Sequence, residues 1–145
     1  MRIDFYQLSR DPVPEVAALL ARKVLGSGKR LIIIEEDPAI RGDIASALWS
    51  APGVFLANGE AGGAHDARQP ALLSGDCKAE NGASVALISD GKWREDAAAF
   101  ERVLLLFGSE RTDDARSLWR ELGSRGDAER HIFKQNESGG WTEGG

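Results

Sequence analysis

Residues 31–38 read LIIIEEDP and combine a strand with the start of a helix. Four apolar residues in a row, three of them isoleucine, are typical of a strand that is covered on both faces, as in a parallel sheet. Asp37-Pro38 then predicts a helix, with aspartate as the N-cap and proline at the first helical position. The same succession comes earlier in the chain, because a predicted strand at 3–8 precedes Asp11-Pro12 and a run of apolar residues at helical spacing.

Strands and helices therefore alternate through the first fifty residues, which predicts a three-layer α/β/α fold with a mostly parallel, mixed central sheet. Glycine-rich residues 58–69 predict a loop, and Thr112 is expected to cap a late helix. Further strands are predicted at 54–56, 71–74, 84–89, 103–107 and 130–135, and a short helix at 93–100. We expect one domain, residues 1–136, and a polar, glycine-rich C-terminal tail, residues 137–145.

Composition narrows the class of protein. The chain has 145 residues and a formal net charge of −5, whereas a protein that binds duplex DNA by itself usually carries a basic surface. We therefore expect no direct nucleic-acid binding, and no apolar run is long enough to predict a membrane span. The single cysteine, Cys77, excludes an internal disulfide and is in keeping with the reducing cytoplasm.

No catalytic, cofactor or metal motif is complete. The segment Gly26-Ser27-Gly28-Lys29 resembles part of a phosphate-binding loop, but Lys23 and Arg30 occupy the positions that need glycine and Ser or Thr. The two histidines lack neighbours at metal-ligand spacing, and no nucleophile elbow is present. The sequence therefore predicts a protein without catalytic residues, cofactor or metal.

One alternative is an enzyme. Glu35-Glu36-Asp37 follows a predicted parallel strand, and ligands of open α/β sheets bind at the carboxyl ends of strands. A small nucleotide- or phosphate-binding α/β enzyme could use this edge. The other interpretation is a strand that runs into a helix N-terminus, where acidic residues are favoured in any case.

The helix from Thr112 carries the most informative surface pattern. Arg116 and Arg120 are four residues apart with Trp119 between them, and Arg111 adds charge before the helix. Guanidinium groups beside an aromatic wall are suited to a carboxylate attached to an apolar side chain. The alternative is an amphipathic helix with Trp119 in the core and the arginines in solvent, and spacing alone leaves both open.

Two other aromatic features could contact a partner. Trp49 and Phe55 flank a predicted turn and are either anchors of an interface or ordinary core residues. Trp141 lies in the predicted tail, and it either packs on the domain or meets a partner.

In this order and spacing, the residues resemble the chi subunit family of bacterial DNA polymerase III. The resemblance rests on seven segments, which are Ile3-Asp4-Phe5-Tyr6, Gly28-Lys29-Arg30, Ala47-Leu48-Trp49, Phe55-Leu56, residues 69–73, Phe100-Glu101-Arg102-Val103 with the Arg116 helix, and Gly139-Gly140-Trp141. It implies a Rossmann-like accessory subunit without catalysis. Such a subunit links the clamp-loader complex to single-stranded DNA-binding protein in DNA replication.

The resemblance also implies two partner sites. Arg116 would bind the terminal carboxylate of the acidic, Pro-Phe-ended tail of the single-stranded DNA-binding protein, with Trp119, Arg120 and Arg111 beside it. Trp49, Phe55 and Phe107 would face a psi-like clamp-loader subunit or a helicase-like partner. At the second site this chain departs from the family, because it has Phe55-Leu56-Ala57-Asn58 where the family usually has Phe-Leu-Pro-His.

Overall fold

The computed structural model describes residues 1–50 and 58–144, which form an α/β fold around one eight-stranded sheet. Three helices accompany it, α1 (Val13–Gly26), α2 (Pro38–Trp49) and α3 (Thr112–Arg125). The strands are β1 (Arg2–Gln7), β2 (Leu31–Ile34), β3 (Asn58–Glu60), β4 (Ala71–Ser74), β5 (Val85–Ile88), β6 (Arg102–Phe107), β7 (Glu129–Gln135) and β8 (Trp141–Gly144). Their order in the sheet is β3-β4-β2-β5-β6-β1-β7-β8, and all neighbours are parallel except β7 and β8.

The predicted three-layer α/β/α fold is confirmed. Helices α1 and α2 pack on one face of the sheet, where Leu20, Ile44 and Ile33 belong to one buried cluster, and α3 packs on the other, where Leu118 and Phe5 belong to a second. Strand β2 lies between β4 and β5, and its four side chains are completely buried. This central position is the physical reason for its unbroken apolar sequence.

Two predicted helix starts differ in detail. The N-cap of α1 is Pro12 and not Asp11, and no side chain caps that helix. A short 3₁₀ turn, Ser109–Arg111, runs directly into α3, so Thr112 is the first helical residue. Its hydroxyl donates to the carbonyl oxygen of Ser109 at 3.0 Å instead of capping the helix. The predicted cap at Asp37 is confirmed, since its carboxylate accepts from the Ala39 amide at 2.9 Å.

Two other segments also depart from expectation. The predicted loop at 58–69 contains β3 and a 3₁₀ turn, Asp66–Arg68, because residues 58–60 pair with β4 as an edge strand. The predicted helix at 93–100 is a 3₁₀ helix over Glu95–Ala99. The predicted strand at 54–56 lies outside the described residues.

The C-terminal segment joins the sheet. Residues 136–140 form a turn in which the Asn136 side chain accepts from the amides of Ser138 and Gly140, and β8 then pairs with β7. The Trp141 ring meets the edge of Tyr6, with 5.3 Å between ring centroids. Of the two alternatives for Trp141, the structure therefore supports packing on the domain.

None of the helices in residues 1–50 and 58–144 has the length and hydropathy of a membrane span.

Gln135 ties this end of the chain to the end of β1. Gln135 is buried, and its side-chain Oε1 accepts from the backbone amides of Ser9, Arg10 and Asp11 at 3.0–3.2 Å. We expect Gln135→Ala to lower the free energy of unfolding by about 2–3 kcal/mol, because those amides lose their acceptor. Urea denaturation would measure this loss.

Gln135→Glu is the matched comparison for that variant. It keeps an accepting oxygen but sets a second carboxylate against Asp11, which now accepts from the Gln135 amide at 2.8 Å. We therefore expect the loss of stability in Gln135→Glu to become smaller at low pH, where carboxylates are protonated, whereas the loss in Gln135→Ala should persist. Wild-type stability in Gln135→Ala would contradict the proposed tie.

Candidate functional site

A cleft of about 600 Å³ lies between α3 and the carboxyl ends of β1 and β6, with β7 on its far side. Ten residues from these four elements line it. They are Phe5, Gln7, Phe107, Thr112, Ala115, Arg116, Trp119, Arg120, Ile132 and Lys134. The volume is within the usual range for sites that take a small ligand or a peptide end.

The floor of the cleft is aromatic. Phe5 contacts the edges of two other rings, with centroid distances of 5.3 Å to Trp119 and 6.5 Å to Phe107. Such edge-to-face arrangements stabilise rings beyond the area they bury. Trp119 is half-buried, so one side of its indole belongs to the core and the other lines the cleft. The core position that the amphipathic interpretation gives Trp119 therefore holds for one side of the indole, while the other side is open to the cleft.

The rim of the cleft is cationic. Arg116 and Arg120 project from α3, and Lys134 stands opposite them on β7. Within residues 1–50 and 58–144, none of the three side chains makes a hydrogen bond or an ion pair, and no acidic residue lines the cleft. Three cations without counter-ions around an apolar floor are suited to an anionic ligand with an apolar part.

Trp119 is held from behind by Arg130. The guanidinium lies over the indole at 4.4 Å from the ring centroid, and its Nη1 donates to the Trp119 carbonyl oxygen at 2.7 Å. The Arg130 guanidinium crosses α3 at Gly123, where a Cβ on that residue would lie 2.5 Å from Nη1 of Arg130. A glycine in the helix therefore gives the arginine room to position the wall of the cleft.

The other basic residues near α3 do not line the cleft. Arg111 pairs with Asp114 at 3.5 Å and lies against Gly91. Arg125 pairs with Glu95 and Glu121. The cationic rim thus consists of Arg116 and Arg120 from the predicted set, joined by Lys134.

The residues expected to face a second subunit do not form a single surface among the described residues. Trp49 ends α2 and is 42% exposed, Phe55 lies outside the described residues, and Phe107 is buried in the floor of the cleft. Since α2 and α3 cover opposite faces of the sheet, Trp49 and Phe107 belong to different surfaces.

Comparison with known families identifies the relatives of this chain. The family model "DNA polymerase III chi subunit, HolC" matches residues 1–129, which include every lining residue of the cleft except Ile132 and Lys134. The chain belongs to the DNA polymerase III chi subunit family. The match stops at the start of β7, short of the Gly139-Gly140-Trp141 segment that contributed to the resemblance. A search of curated proteins found no match.

Membership of the chi family makes this chain an accessory subunit of the replicative polymerase, with a place in a polymerase III complex. Sequence reasoning found the α3 half of the cleft through its arginine and tryptophan spacing. It missed Phe5, Gln7, Ile132 and Lys134, which come from strands near opposite ends of the chain. Alternation along β1 and β7 could have separated the two faces, but only strand pairing brings β7 beside β1.

The acidic edge behind the enzyme hypothesis is occupied by structural contacts. Glu35 is buried and accepts from the Ser89 hydroxyl at 3.1 Å and the Asp37 amide at 3.1 Å. Glu36 pairs with Lys92, and Asp37 caps α2. The described residues contain no group of three side chains placed to hold a metal. These contacts account for the acidic cluster without a ligand.

Burial raises the pKa of the Glu35 carboxyl, and the neighbouring acids Asp90 and Asp37 act in the same direction. The folded state therefore binds this proton more readily than the unfolded chain. The contribution of Glu35 to the free energy of unfolding falls as the pH rises from the pKa of its carboxyl in the unfolded chain towards the raised pKa in the folded state. In urea denaturation, we expect the free energy of unfolding of Glu35→Gln, taken relative to that of wild type, to be higher at pH 7 than at pH 4. An equal difference at both pH values would contradict this role of burial.

Proposed function

We propose that this chi-family protein connects the replicase to single-stranded DNA-binding protein by docking that protein's acidic C-terminal tail in the cleft beside α3. The observation that carries the proposal is the combination of an aromatic floor with three cations that have no ion pair among residues 1–50 and 58–144, and with no acidic side chain among the lining residues. On a chain with a net charge of −5, this cleft is a local exception that selects an anionic segment.

Three features of a Pro-Phe-ended tail have counterparts in the cleft. The terminal phenyl ring would lie against Phe5 and Trp119, where its apolar surface leaves water. Arg116, with Arg120 one turn later, would bind the terminal carboxylate through charge-assisted hydrogen bonds. Lys134, across the cleft on β7, would attract the acidic residues that precede the end of the tail.

A second surface would attach the protein to the clamp loader. Trp49 at the end of α2 is the described residue that supports this, since an exposed tryptophan is a common interface anchor. Its partner would be a psi-like subunit or a helicase-like protein. In this role the protein acts in the cytoplasm, has no catalytic residues or cofactor of its own, and contacts DNA only through its partners.

The proposal is tested with a labelled peptide that carries the tail of the same organism's single-stranded DNA-binding protein. Fluorescence anisotropy should report micromolar binding to the full chain, and the affinity should fall as salt is raised. The matched control is the same peptide with a C-terminal amide, which removes one negative charge and one accepting oxygen at the end that Arg116 would bind.

We expect the amidated peptide to bind at least about tenfold more weakly, because it cannot make the charge-assisted pair. A peptide with its terminal phenylalanine replaced by alanine should also bind weakly, because it leaves the aromatic floor uncovered. No binding of the unmodified peptide, or equal binding of all three, would reject the proposal.

A further inference from the structure

A second cleft lies on the opposite face of the sheet, between α1 and the amino-terminal ends of β1 and β6. Its volume is about 480 Å³. Strand β1 contributes to both clefts because its side chains alternate, with Arg2 and Tyr6 facing α1 while Phe5 and Gln7 face α3. The sheet separates the two clefts, so a ligand in one does not occupy the other.

A buried carboxylate fixes two arginines in this cleft. Asp4 is completely buried and accepts from Arg2 Nε at 2.9 Å, from Arg102 Nε at 2.9 Å and from Arg102 Nη2 at 2.6 Å. Arg2 and Arg102 stand in register on adjacent strands, so one acid holds both. The terminal nitrogens of Arg2 have no hydrogen-bond partner in the described part of the chain, whereas Arg102 also interacts with the Tyr6 hydroxyl, and the two arginine side chains are 39% and 36% exposed.

The charge of the cleft opposes the charge of the whole chain. Its lining contains four basic residues, Arg2, Lys23, Lys29 and Arg102, and one acidic residue, Glu101, which pairs with Lys29 at 2.8 Å. Asp4 behind the lining offsets one more charge, and Glu129, in register with Arg2 on the neighbouring strand β7, offsets another, which leaves an excess of one positive charge. Lys23 is exposed on the last turn of α1 and has no ion pair among the described residues.

We propose that this cleft binds a small phosphate ester, with the phosphate on Arg2, Arg102 and Lys23. Donors reach the cleft from two strand ends and from a helix, and the three terminal oxygens of a phosphate ester can accept from all three side chains at once. The opposite wall is apolar and consists of Leu20, Val24 and Leu104 beside the Tyr6 ring. That wall accommodates an organic body of nucleotide size. The proposal does not depend on tail docking.

The test is calorimetric titration of the full chain with inorganic phosphate and with thymidine monophosphate at low ionic strength. Lys23→Glu is the decisive variant, because it reverses a charge at the cleft without removing a partner of buried Asp4. Its matched control is Arg22→Glu, the same charge change on the preceding exposed residue, which does not line the cleft.

We expect the nucleotide to bind more tightly than phosphate and Lys23→Glu to weaken both by at least about tenfold. Arg22→Glu should bind both ligands like wild type. Absence of binding to wild type, or an equal loss in Arg22→Glu, would overturn the proposal. Equal affinity for the two ligands would overturn the role of the apolar wall.

Discussion

Arg116→Ala should weaken binding of the tail peptide by about 2–4 kcal/mol, a loss of roughly 30- to 1,000-fold in affinity. Docking takes the terminal carboxylate out of water, and the variant leaves that charge with fewer donors in the cleft. Arg120 lies one turn further along α3 and Lys134 lies across the cleft, so part of the attraction remains. Anisotropy titrations of wild type and variant measure the difference.

Two matched variants make this result specific to position and geometry. Arg125→Ala removes the same side chain from the same helix, but Arg125 pairs with Glu95 and Glu121 outside the cleft, so peptide affinity should be retained. Arg116→Lys keeps the charge without the two-pronged guanidinium, and its affinity should lie between wild type and Arg116→Ala. Affinity in Arg116→Ala equal to wild type would remove this residue from the site.

Phe5→Ala should lower the free energy of unfolding by about 3–5 kcal/mol. Phe5 is 1% exposed in the middle of β1 and contacts both Phe107 and Trp119, so truncation leaves a cavity where the sheet meets α3. The same change removes the floor of the cleft, so the folded fraction should bind the tail peptide more weakly. Urea denaturation measures the first effect and anisotropy below the unfolding transition measures the second.

Phe100→Ala distinguishes loss of stability from loss of the floor. Phe100 is buried in the same core but does not line the cleft. We therefore expect Phe100→Ala to destabilise the protein while the folded molecules keep their affinity for the peptide. If Phe5→Ala and Phe100→Ala changed affinity equally, Phe5 would have no particular role in binding.

The local elements of this fold were predictable because their signals are local. The isoleucines of β2 indicate a covered strand, Asp37-Pro38 indicates a helix start, and the spacing of Ala115, Leu118 and Leu122 indicates the buried face of α3. The predictions failed where a nearby contact replaced the expected one. The hydroxyl of Thr112 donates to the 3₁₀ turn before α3 instead of capping the helix. Three residues of a predicted loop form a strand because they pair with the edge of β4.

The cleft beside α3 was predictable only by half. Arg116, Trp119 and Arg120 belong to one helix, and a period of 3.6 residues places them on neighbouring parts of its surface. The opposite side comes from β7, which lies beside β1 only because a strand from the end of the chain pairs with a strand from its beginning. No local pattern records such a pairing, since it arises from burying both faces of the sheet.

The sequence alone was therefore sufficient for the fold class, for the family and for the basic face of α3, because periodicity and motif order express them. Tertiary structure was needed to place Lys134 opposite Arg116, to put Phe107 in the floor of the cleft and not beside Trp49, and to give Trp119 both a buried and an exposed side. The physical reason is that a binding site depends on which distant residues are brought together. Sheet order and helix packing set that proximity, and spacing along the chain does not.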